Sequence, residues 1–84
     1  MNELKAHNMT GLKNHILKLL NKVGDYNIES DRYLIAKCVG VIDSMCILGY
    51  IDDFTHTTLS NVCMSILKNE SVSSNTQILI QFCK

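Results

Sequence analysis

The sequence predicts an all-α domain, and three observations carry the prediction. Apolar residues recur at three- and four-residue spacing in three long stretches. Proline is absent, and four glycines are too few for a turn-rich β fold. The most hydrophobic stretch, Asp31–Leu48, is too long for a typical strand. The expected architecture is three main helices, at about 2–23, 31–48 and 53–68, plus a short C-terminal helix at 75–83, in orthogonal or bundle packing. The whole of residues 1–84 is expected to form one helical domain. A domain of this size buries roughly 60% of the surface of its unfolded chain, enough to fold alone but with little margin.

The first helix places Leu4, Met9, Leu12, Ile16, Leu19, Leu20 and Val23 on one stripe, with the lysines mostly off it. Asn2 could cap a long version, and Thr10 a shorter one that breaks near Gly11. Gly24 is expected to close it. Residues 25–30, DYNIES, then form a short connection, with Tyr26 and Ile28 folding back on the core edge.

At about 100° per residue, Leu34, Cys38, Val41, Ile42, Met45, Cys46 and Leu48 share one side of the central helix, with Ile35 and Val39 at its margin. This arc is wider than the apolar stripe of an ordinary surface helix, so the other segments are expected to pack around it. Ser30 is the expected N-cap, Asp31 adds negative charge to the first turn, and Gly49 supplies the left-handed ending. On the opposite face Ala36, Gly40 and Ser44 form a ridge of small residues, and Ile47 lies on the same side. A solvated face with short side chains and a seam for a second helix both fit this ridge. The four residues Ala36, Gly40, Ser44 and Ile47 are the candidate interface.

Asp52 or Asp53 caps the third helix, whose buried stripe is expected to hold Phe54, Leu59, Val62, Cys63, Ile66 and Leu67. Asn69 is its expected C-terminal cap. Ser74 and Gln77 fit a capping box that would open the last helix. Ile78, Ile80 and Phe82 also alternate as in a strand, but no second strand is evident.

Charge and cysteine usage narrow the function classes. The formal net charge is zero. Residues 1–24 carry four lysines against one glutamate, while residues 25–53 carry six carboxylates against Arg32 and Lys37. A basic first helix and an acidic middle could attract one another, but no global field favours nucleic acid or an anionic membrane. Cys38, Cys46, Cys63 and Cys83 form no C-x-x-C pair, and three of them fall on apolar helix faces. They read as reduced thiols of a cytoplasmic protein. No leader pattern opens the sequence, and no apolar run approaches the ~20 residues that span a bilayer.

Catalytic and cofactor motifs are absent: there is no G-x-S-x-G, P-loop or H-E-x-x-H. Asp52-Asp53 suits capping better than acid–base work, and His7 and His15 stand eight apart, not at the i, i+4 spacing a metal prefers. No catalytic residue, cofactor or metal is therefore expected. Two weaker patterns remain. Helix, glycine turn and helix over 31–68 outline a helix-turn-helix, but its second helix, 54–68, holds a lysine only at its far end and no arginine. Tyr26, Tyr33 and Tyr50 with the first-helix lysines could clamp a nucleotide in an oligomer.

The stretch Ser30–Leu59, SDRYLIAKCVGVIDSMCILGYIDDFTHTTL, reads as a helical hairpin, and the chain is short and rich in Lys, Asn and Ile. In these features it resembles the small helical cytosolic regulatory proteins of T-even-like bacteriophages, the lysis-inhibition antiholins of the RIII type among them. That resemblance implies a helical protein that binds and restrains another protein in the host cytoplasm. The expected function is thus non-catalytic regulation or inhibition by protein–protein binding, as a homodimer or higher oligomer. Nucleotide sequestration is the first alternative and DNA binding by a helix-turn-helix the second.

Overall fold

Each apolar-periodic segment folds as one α-helix. The computed structural model describes residues 2–24 and 28–84, with the side chains of Asn2 and Glu3 left aside. The helices are α1 (Asn2–Asn21), α2 (Glu29–Ile47), α3 (Asp53–Leu67) and α4 (Val72–Cys83), with no strand among the described residues. Residues 78–82 are therefore helical. Tyr26 and the centre of the first connection lie outside the described residues.

α1 takes the long version. It runs unbroken past Gly11, and the Thr10 hydroxyl donates to the Ala6 carbonyl at 3.0 Å instead of capping a new start. One glycine inside a helix costs only about 1 kcal/mol, too little to break five turns. The helix ends at Asn21, before Gly24, as Lys22 and Val23 N–H close tight turns on Leu19 and Leu20. Gly24 N–H then donates to the Asp31 carboxylate at 2.8 Å, tying the end of α1 to the first turn of α2.

The start of α2 corrects the expected cap. Ile28, not Ser30, holds the N-cap position and offers no side-chain bond. Glu29 and Asp31 in the first turn supply the negative charge that the helix dipole favours there. α2 ends in a Schellman turn: Gly49, at φ +76°, donates to the Cys46 carbonyl and Tyr50 N–H to that of Met45. α3 ends in the same turn, with Asn69 at φ 60° donating to Ile66 and Glu70 N–H to Ser65. Asp52 caps α3 as expected, its carboxylate accepting Thr55 N–H at 2.8 Å. α4 starts three residues before the expected 75, so the Ser74–Gln77 pair lies inside the helix and caps nothing. The turn at Asn69 delivers the chain straight into this helix, and the Asn75 side-chain amide fastens it by donating to the Glu70 carbonyl at 3.0 Å.

The helices form an up-down-up-down bundle. Arg32 of α2 donates to the Leu67 carbonyl at the end of α3, and Asp43 of α2 meets His56 near the start of α3, so this pair is antiparallel. Lys13 of α1 lies over the Phe82 ring at the end of α4, while Lys18 and Asn21 share a groove with Thr76, so α1 and α4 are antiparallel too. α1 and α3 each contact α2 and α4, and no α2–α4 pair of described Cα atoms comes within 8 Å. The central helix is thus covered by two neighbours, and α4 closes the far side of the ring instead of covering α2.

Buried side chains converge from all four helices: Ile16, Leu19 and Leu20 from α1, Ile35, Cys38, Ile42 and Met45 from α2. Leu59, Val62, Cys63 and Ile66 come from α3, and Leu79 and Cys83 from α4. Ile35, placed at the margin by the wheel, is fully buried, while Val41 and Cys46 are only half-buried. Leu4, Leu48 and Phe54 were expected inside and are exposed. All three sit at helix ends, where the bundle has no further neighbour to cover them.

Candidate interaction surface

Two exposed surfaces meet at Ile47. The first is the outer face of α2. Ala36 and Gly40 are exposed, Ser44 is half-buried, and Ile47 is 83% exposed. The four candidate residues therefore share one open stripe. A Cβ built on Gly40 would meet nothing within 4 Å. The Ser44 hydroxyl donates to the Gly40 carbonyl at 3.0 Å, so it needs no outside partner. Tyr33 joins the stripe, 62% exposed, with the Lys37 ammonium 4.8 Å from its ring centroid. Its place was legible in the spacing, since Tyr33, Gly40 and Ile47 are seven apart.

The second surface is the end of the bundle where α2 turns into α3. Within residues 47–54, Ile47, Leu48 and Phe54 are all exposed, Phe54 to 79%. The Asn8 side chain donates to the Tyr50 hydroxyl at 2.9 Å, which brings α1 to the same end and sets the exposed Leu4 one turn further out. Carboxylates rim this apolar tip. Asp43 bonds His56 at 2.6 Å, and Asp53 accepts a weak bond from the Cys46 thiol at 3.6 Å. The bond from Thr55 holds the Asp52 carboxyl below its usual range, so Asp52 stays charged.

The remaining candidates do not assemble a reaction centre. Cys38 and Cys63 are pushed up to about 12 by burial and then by neighbouring core thiols, and burial pushes Cys83 to about 11. These are neutral thiols at physiological pH. His7 and His15 are both exposed. Among the described residues no three His, Cys, Asp or Glu side chains are grouped to hold a metal. Tyr33 and Tyr50 stand at opposite ends of α2, so within one subunit these two tyrosines do not converge. An open groove of about 610 Å³ between α1 and α4 is lined by Leu17, Leu20, Ile80, Lys18 and small polar residues, without an aromatic ring to stack a base. α3 contains no lysine or arginine, so it lacks the cations that a recognition helix turns to phosphate. Among the described residues no helix is long and apolar enough to cross a membrane. No family model, curated protein or solved structure matches the chain.

Proposed function

We propose that this chain is a non-catalytic regulatory protein of the cytoplasm that restrains another protein by binding it, in the manner of a lysis-inhibition antiholin. The single observation behind this reading is the exposed apolar tip formed by Leu4, Leu48 and Phe54. Exposed apolar residues scattered singly are ordinary, but a contiguous group rimmed by polar residues marks an interaction site. Covering a side chain such as Phe or Leu contributes about 1.5–3 kcal/mol each, so three anchors support a specific contact. The stripe on the outer face of α2 serves a different contact, self-association into a homodimer or higher oligomer.

A photo-crosslinking residue tests the tip inside cells of the native context. Placed at Phe54, it should yield one discrete adduct with a second protein. Placed at the exposed Ser73 of α4, it should yield none. Equal labelling from both positions, or none from position 54, rejects the tip as the binding surface.

A further inference from the structure

Resting on the self-association reading, we infer that two copies pack α2 against α2 antiparallel, with the two-fold axis passing by Gly40. The outer face of α2 is close to palindromic about that glycine. Tyr33 and Ile47 lie seven residues to either side, Ala36 and Ser44 four, Lys37 and Asp43 three. An antiparallel pair centred there sets each member of these couples level with its counterpart on the other copy.

The chemistry of each couple suits that register. The exposed ring of Tyr33 meets the exposed Ile47 side chain, so each end of the seam buries a large apolar group from both copies. Ala36 and Ser44 meet as small residues and admit close approach. Gly40, with open space where a Cβ would stand, lies where the two backbones come nearest. Lys37 of one copy is level with Asp43 of the other, so opposite charges flank the seam and like charges are kept apart. A parallel pairing would instead set Lys37 against Lys37 and Asp43 against Asp43. The seam extends over 33–47, about 21 Å of helix, and leaves Leu48, Phe54 and Leu4 clear for a different protein. Closed two-fold pairing is also the commonest way for a chain to cover one of its own faces.

Two singly substituted chains of different mass, Ala36→Cys and Ser44→Cys, each in a Cys46→Ser background, test the register with a short bis-maleimide. Cys38, Cys63 and Cys83 are buried and stay out of the reaction. In the antiparallel seam positions 36 and 44 of opposite copies adjoin, whereas 36 and 36 stand about 12 Å apart along the axis. The mixed 36–44 product should therefore dominate, and the 36–36 and 44–44 products should be lost. Dominant 36–36 and 44–44 products overturn the register and leave self-association standing. A wild-type chain that sediments as a monomer at high micromolar concentration overturns both. Gly40→Leu adds an independent readout. It meets no clash within the subunit, so it should shift the sedimenting species toward monomer while the helical signal is kept, and a dimer indifferent to it also rejects this seam.

Discussion

Ile42 and Ile47 lie five residues apart on the same helix, and the first is fully buried while the second is 83% exposed. Ile42 faces the ring of four helices; Ile47 faces outward at the last turn, past the reach of α1 and α3. The cysteines divide in the same way, with Cys38, Cys63 and Cys83 in the core and Cys46 half-buried beside Asp53 at the tip. Hydrophobicity alone does not separate these residues. What separates them is whether a neighbouring helix exists on that side. The interior accounts for stability, and the tip and outer stripe stay uncovered within the subunit.

The largest expected effect comes from alkali. The three core thiols are raised from an ordinary value of 9.0 to about 11 or 12, so the fold favours their neutral form. That contribution is complete below pH 9 and is lost as the pH climbs through the raised values. Helical circular dichroism should therefore fall progressively between pH 9 and 12. At neutral pH a thiol reagent should label Cys46 before the other three; labelling of all four at one rate would erase the distinction between core and tip.

Truncating the two isoleucines measures the contrast directly. Ile42→Ala should lower stability by about 2–5 kcal/mol, while Ile47→Ala should stay within about 0.5 kcal/mol in the monomer. Chemical denaturation at low protein concentration reads both, and similar losses would show that the tip is packed after all. The two glycines of the α2 region give a smaller contrast of opposite sign. Gly49→Ala forces an L side chain to φ +76° and should cost about 1–2 kcal/mol. Gly40→Ala has open space and ordinary helical backbone, and should add up to about 1 kcal/mol. The smallest effect lies at the opposite end of the bundle. Ser71 enters α4 at φ 43° without a side-chain cap, so Ser71→Gly should relieve strain and gain about 0.5 kcal/mol. A loss on that substitution would mean that the serine hydroxyl matters to the helix start.

Much of the fold was legible because its signals are local. Periodicity fixed the first three helices and the want of a second strand decided the fourth, Asp52 announced the start of α3, and Gly49 and Asn69 announced two identical turns. The start of α4 was not legible, because Ser71 takes a left-handed conformation that its side chain does not advertise. The start of α2 was missed for a related reason, since Ile28 is no capping residue and the tie from Gly24 to Asp31 spans two elements.

The candidate surface divides along the same line. Ala36, Gly40, Ser44 and Ile47 could be grouped from the sequence, because residues on one helix keep their mutual angles in any fold. That Leu48 and Phe54 are exposed could not be read there, since an apolar residue at a helix end is buried only if something stands beyond it. By itself the sequence determined the helices, most of their ends and the residues that share each face. Only the tertiary structure decided that α4 closes on α1 and α3, which face of α2 stays open, and that Leu4, Ile47, Leu48 and Phe54 gather at one end. Backbone hydrogen bonds and helical angles are set within a few residues, whereas exposure depends on neighbours that the chain brings from far along its length.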